Sequence, residues 1–163
     1  MSTRLLILDA CVLIDYVDAD ASVLGTVSTH VARTAVVRPV FDEVDQLDER
    51  QAAQLGLCIL DVDFALATKA AAAPSQLSFQ DRLCLLVAKE EAWTCVTNDG
   101  ALRRACSVEN VSVLWGLEIM VEAVRVGAMT LDEAESVAEA IHRQNPRYVT
   151  RAIVESFREK MRG

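Results

Sequence analysis

Four acids in this chain have the type and the setting to do chemistry together: Asp9, Glu43, Asp81 and Asp99. Asp9 follows the apolar run Leu5-Leu6-Ile7-Leu8, and Asp99 follows the run Trp93 to Val96 by way of Thr97 and Asn98. Glu43 and Asp81 each sit about one turn into a segment with helical patterning. Carboxylates that converge repel one another unless a cation lies between them, and hard oxygen donors suit Mg²⁺ or Mn²⁺. A divalent cation held this way activates water and offsets charge on a phosphate ester under attack. Zinc is disfavoured: His30 and His142 stand alone, and no cysteine belongs to a C-x-x-C pair.

For acids from four segments to meet, a fold must gather the segment ends on one rim. The stretch Ser78 to Arg104 shows how this chain does so. Ser78 opens a helix with Asp81 in its first turn and Leu83, Leu85, Leu86, Val87 and Ala88 as its apolar body. Trp93 to Val96 reads as a short buried strand, and a new helix opens at Gly100-Ala101-Leu102. Helix, strand, carboxylate, helix is half of a βαβ unit, and ligands gather at the carboxyl ends of strands in open α/β sheets. Leu5 to Leu8 reads as a strand buried on both faces, with Ala10 to about Val17 helical after it.

The rest of the chain repeats the alternation. Asp18 to Arg33 reads as a loop and a second helix, and Thr34 to Val37 as a strand. Pro39 suits the first position of a helix. Val40, Val44 and Leu47 then share one face, with Glu43 at its edge. Leu57 to Leu60 is another strand, Phe64 to Ala72 an alanine-rich helix, Ala73-Pro74-Ser75-Gln76 a loop, and Val111 to Leu114 a fifth strand. A long helix is expected from Gly116 to about Val126, stopped by Gly127. Thr130 and Glu133 form a capping box opening a helix to about Arg143. Pro146 breaks the chain, and a last helix covers Val149 to Arg162 with Ile153, Val154 and Phe157 on one side. The expected architecture is a three-layer α/β/α fold with a mostly parallel central sheet of about five strands and a helical C-terminal extension. Without a repeat or linker, it reads as a single domain over 1–163, with 1–127 as core and 128–163 as extension.

Each acid also has a local role open to it. Asp9 and Asp99 could be N-caps, Asp81 half of a near capping box, and Glu43 part of a solvated acidic helix face. One shared site accounts for all four more economically than four separate local roles.

Composition narrows the classes. A chain of 163 residues, 52% of them hydrophobic, can bury a real core. No apolar run reaches the roughly 18 residues of a membrane span. The first apolar run is too short for a secretory signal and is ended by an acid. The expectation is a cytoplasmic protein with no membrane partner. The five cysteines are an odd number, expected to be reduced, buried packing residues, and the histidines ordinary surface residues. A net charge of −8 disfavours a broad non-specific nucleic-acid binder. It leaves open an enzyme whose acids hold metal against phosphate.

ILDACVLIDY resembles the opening motif of the PIN-domain ribonucleases, in which an aspartate ends the first strand. FDEV resembles their second acidic motif, LSFQDRLCLLVAKEE the third and TCVTNDGALRRA the fourth, in matching order from about Leu5 to Leu114. The chain's size and helical tail are similar to VapC-type toxins of toxin–antitoxin pairs. The resemblance implies a PIN-like fold and a Mg²⁺- or Mn²⁺-dependent endoribonuclease. It implies Asp9, Glu43, Asp81 and Asp99 as catalytic metal ligands and Thr97 as a supporting polar residue. Arg82, Arg103 and Arg104 would lie where an RNA backbone could be touched. The implied partners are an RNA substrate and a cognate antitoxin. A homodimer is also expected, from apolar helix faces over Val12 to Val17 and Val23 to Val31. One departure stands at Ala10, where many relatives carry a hydroxyl residue.

Two other classes compete. One is a catalytically weak or inactive PIN-like binding module. The other is a different acid-rim α/β enzyme. A haloacid dehalogenase-type phosphatase needs an aspartate two residues after the first, where this chain has Cys11. A receiver domain needs an acid pair after its first strand and a lysine after its last, and neither is evident.

Overall fold

The computed structural model describes residues 4–72 and 76–163, which contain five strands and ten helices. The loop expected at Ala73 to Gln76 lies, except for Gln76, outside the described residues. Strand β1 (Leu5–Leu8) is buried at all four positions, as an apolar run without alternation requires of a strand covered on both faces. Helices α1 (Ala10–Asp20) and α2 (Ser22–His30) follow, then β2 (Arg33–Val37), α3 (Arg38–Phe41), α4 (Glu49–Gln54) and β3 (Leu57–Leu60). The second half runs α5 (Phe64–Ala72), α6 (Phe79–Glu91), β4 (Thr94–Val96), α7 (Gly100–Val108) and β5 (Val113–Leu114). Helices α8 (Glu118–Arg125), α9 (Leu131–Gln144) and α10 (Arg151–Arg162) close the chain.

The five strands form one sheet in the order β3-β2-β1-β4-β5, every pair parallel. From β1 the chain steps outward to β2 and β3, then returns past β1 to β4 and steps outward the other way to β5. Because such crossovers are right-handed, reversing direction puts the two sets of helices on opposite faces. Helix α6 packs on β1, β2 and β4 with α5 and α7 beside it. Helix α2 packs on β2 and β3 with α1 and α8, while α9 lies on α1, and α10 on α8 and α9. This is the three-layer α/β/α architecture, with a fully parallel sheet.

Several details differ from the sequence expectation. Helix α1 runs on to Asp20, so a single residue, Ala21, separates it from α2. The helix expected through Leu47 ends at Phe41, since Asp42 and Glu43 at its C-terminus oppose the helix dipole. Val44 and Leu47 are buried all the same. Helix α4 was not foreseen, although Asp48 and Gln51 form a capping box at its start. Strand β5 keeps two residues of the four expected, and α8 begins at Glu118 rather than Gly116. The apolar faces of α1 and α2 are used inside the chain: Val12, Leu13, Tyr16, Val23, Leu24 and Val27 are all buried. All five cysteines are free, but only Cys84, Cys95 and Cys106 are buried; Cys58 is half-buried and Cys11 exposed. His142 is not a plain surface residue, since its Nδ1 lies 2.7 Å from the Val149 carbonyl and ties α9 to the turn before α10. Among the described residues, no helix is long and apolar enough to cross a membrane.

Candidate functional site

Strands β1 and β4 flank the point where the strand order reverses. In open parallel sheets the crevice beyond the carboxyl ends at that point is where ligands bind. Asp9 stands at the end of β1, its N–H still donating to the Val96 carbonyl at 3.2 Å. Thr97, Asn98 and Asp99 leave β4 beside it.

The local, capping reading of the two aspartates is met. Asp9 is the N-cap of α1, its Oδ1 accepting from the Val12 N–H at 2.9 Å. Asp99 is the N-cap of α7, accepting from the Leu102 N–H at 2.8 Å. Thr97 joins them: its hydroxyl donates to Asp9 Oδ2, and its Oγ1 accepts from the Asp99 N–H at 3.0 Å. Thr97 is completely buried, so this link is shielded from competing water. The caps aim the carboxylates, and Thr97 holds the two loops in one register.

The acids share an electrostatic field. Burial pushes the Asp9 carboxyl up to about 6; the bonds from Thr97 and Val12 oppose this, and the charges of Asp81 and Asp99 add to it. Asp81 is also raised, first by burial and then by the charge of Asp99; the Ser78 hydrogen bond opposes, and Glu43 adds a smaller push. Asp81 sits in the first turn of α6, where Ser78 caps its N–H at 3.1 Å. Asp9, Asp81 and Asp99 therefore feel one another's charge at the carboxyl edge of the sheet. Glu43 is exposed, in the turn after α3 rather than within a helix. Its field reaches Asp81. Among the described residues, no group of three or more Asp, Glu, His or Cys side chains is set closely enough to hold a metal ion.

The three arginines divide. Arg103 donates to the Thr97 carbonyl at 3.2 Å and lies over the Trp115 ring, 3.7 Å from its centre. Burial lowers its pKa, consistent with a guanidinium turned inward. Arg104 is exposed and curls back toward Gly100. Arg82 is half-buried, with Nε donating to the Ser78 carbonyl at 3.4 Å.

A second polar cluster behind the rim escaped the sequence reading. Asp15 is buried and accepts from Asn145 Nδ2 at 3.0 Å and from Asn98 Nδ2 at 3.5 Å. Asn98 Oδ1 accepts from the Gly116 N–H at 2.9 Å, and the Tyr16 hydroxyl donates to the Gly116 carbonyl at 2.6 Å. Burial pushes Asp15 up to about 6, the bond from Asn145 opposing and the charge of Asp18 adding. The cluster ties the residue next to Asp99 to the end of α9. The signal was present in the sequence: Asp15 stands on the Val12–Tyr16 stripe of α1, where an unpaired carboxylate would be costly. Cys11 opens onto the same field. Partial burial of its sulfur, with the charges of Asp9, Asp15, Asp81 and Asp99, pushes the thiol up to about 11 and leaves it neutral.

Comparison with protein-family models, with curated proteins and with solved structures finds no match for this chain.

Proposed function

We propose that this protein is a divalent-metal-dependent endoribonuclease of the PIN-like kind, acting as the toxin of a toxin–antitoxin pair. The observation that carries the reading is the pairing of Asp9 and Asp99 through buried Thr97 at the sheet's reversal point, with Asp81 in the same field. Like charges crowded at a ligand-binding crevice call for a cation, and an all-oxygen donor set suits Mg²⁺ or Mn²⁺ over zinc. Mg²⁺ keeps several waters and is often held through one or two carboxylates. The donors present fit that mode, since it needs no closed cage of three acids. Asp9 and Asp99 would be the inner ligands, with Asp81 beside them and Glu43 acting from the margin. When bound, such a cation supplies Lewis acidity for attack by water on a phosphodiester. Thr97 fixes the two aspartates, the caps from Val12 and Leu102 orient them, and Arg104, exposed on α7, would meet phosphate. RNA as substrate and a cognate antitoxin enter through the PIN-domain resemblance, single-domain organisation through the lack of a repeat or linker, and a homodimer as the commonest symmetric assembly. Since α1 and α2 use their apolar faces internally, a dimer would form on another surface.

The test is cleavage of RNA by protein freed of contaminating nuclease. The expected result is cleavage with Mg²⁺ or Mn²⁺ and none with EDTA; undiminished cleavage in EDTA would overturn the reading. A second reading, a PIN-like module that binds without cutting, is favoured by the lack of a tight three-acid group among the described residues. Calorimetry with Mn²⁺ separates them, because the inactive module predicts no binding heat. Co-expression with a neighbouring small gene tests the antitoxin, through co-purification and rescue of growth.

A further inference from the structure

The rim continues beyond Asp99. Strand β5 brings the chain to the same edge, and Trp115 follows it at the level of Thr97 and Asp9, since Leu114 pairs with Val96 and Val96 with Leu8. Neighbouring strands lie about 4.8 Å apart, so the backbone of Trp115 is about 10 Å from that of Asp9. The indole stacks against Arg103, which the Thr97 carbonyl anchors. Beside the indole opens a hollow of about 180 Å³ between the start of α8 and α10. Leu117, Ile153 and Phe157 supply its apolar wall, and Glu118 and Lys160 its polar groups. Glu118 accepts from the backbone N–H of Trp115 at 3.0 Å and pairs with Lys160 at 3.4 Å, with Lys160 still 40% exposed.

We propose that this hollow is a nucleobase subsite, which takes one base of a single-stranded RNA whose adjoining phosphate lies on the acid rim. The inference rests on the RNA reading above and adds to it the means of holding the strand. Size narrows the ligand: the hollow is smaller than the roughly 300–1,000 Å³ that a drug-sized ligand or cofactor occupies, and it suits a single flat ring system. Its chemistry narrows it further. An aromatic wall stacks on any base face, while a carboxylate acceptor and an ammonium donor meet the polar edge of a base. Charge supplies the reason for such a subsite. A chain of net charge −8 has little general attraction for phosphate, so contacts to bases must supply affinity that a basic surface would otherwise give.

The test uses the full chain carrying Trp93→Phe, which leaves Trp115 as its sole tryptophan. A short single-stranded RNA oligomer and its abasic counterpart are titrated with Ca²⁺ in place of Mg²⁺, so that a cation offsets the acid rim, the RNA is checked to be intact afterwards, and indole fluorescence is read. Ser156→Phe, an exposed α10 position at the hollow, fills the space without touching the core. The RNA is expected to quench Trp115. Filling the hollow, or removing the base, is expected to weaken binding about 5- to 150-fold, equivalent to the 1–3 kcal/mol of base–aromatic stacking. The two changes together are expected to lose little more than either alone. Binding that is unchanged by Ser156→Phe overturns the subsite even if RNA is cleaved with Mg²⁺. Base-dependent binding without cleavage overturns the nuclease reading and leaves the subsite standing. Quenching by an aromatic peptide and not by RNA overturns the nucleobase assignment.

Discussion

Replacing Asp9 by Asn should make the protein more stable at neutral pH while removing the activity proposed for it. Asp9 is 4% exposed, and its carboxyl is raised from 3.8 to about 6. That rise corresponds to about 3 kcal/mol against the ionised form in the folded state. The sign follows from linkage. Below pH 3.8 Asp9 is protonated in folded and unfolded chains alike, and its burial carries no charge. Between 3.8 and about 6 the unfolded chain ionises first, so stability falls as pH rises, and above about 6 the full penalty is present. Asn removes the charge and keeps an oxygen for the Val12 N–H. It also leaves the Thr97 hydroxyl without its acceptor, a loss of about 1 kcal/mol. The net gain should be about 2 kcal/mol above pH 6, or about 4–8 °C in melting temperature for a chain of this size. Urea or thermal unfolding in EDTA, from about pH 4 to pH 8, should show an advantage that is absent at the acid end and reaches a plateau above about 6. Mg²⁺ at about 100 times its Kd should then stabilise the wild type by about 2.7 kcal/mol and the variant by much less. A variant no more stable than wild type at about pH 7.5 in EDTA would refute the claim that Asp9 is held charged against its environment.

Other substitutions test separate parts of the rim. Thr97→Val removes the hydroxyl that joins Asp9 and Asp99 and should cost about 1.5–3 kcal/mol in urea melts, with cleavage reduced as well. Glu43→Gln, at an exposed turn, should stay within about 0.5 kcal/mol of wild type and yet lose RNA cleavage; wild-type cleavage would remove Glu43 from the site. Thr34→Val should stabilise by about 1 kcal/mol, because Thr34 Oγ1 is buried without a hydrogen-bond partner among the described residues; a loss of stability on denaturation would contradict this. Asp15→Ala should cost about 1–3 kcal/mol at about pH 4, where the Asp15 carboxyl is still protonated in the folded chain, by leaving the amides of Asn98 and Asn145 without an acceptor; the loss should shrink above about 6, where the variant also escapes the burial of a charge, and hydrogen exchange should quicken around residues 98 and 145.

What the sequence determined by itself was local. An apolar run without alternation marked β1 as a strand covered on both faces, because a strand buried that way has no polar side to show, and short apolar runs marked β2 and β4 as strands. Capping chemistry marked the starts of α1, α6, α7 and α9, because a free backbone N–H must find an oxygen within three residues. The positions of Asp9 and Asp99 at strand ends followed from the same patterns. Tertiary structure decided what local patterns do not encode. The strand order placed β4 beside β1 and so set Thr97 against Asp9, a bond between residues 88 apart in the chain. The Asp15 cluster and the Arg103–Trp115 stack depend on α9, β5 and α7 meeting in space, and no periodicity within one element announces them. Glu43 shows the limit most clearly. Its apolar neighbours keep a helical spacing and are buried, yet the helix ends at Phe41 and the acid leaves on a turn, because burial fixes which residues face inward and not the backbone that carries them.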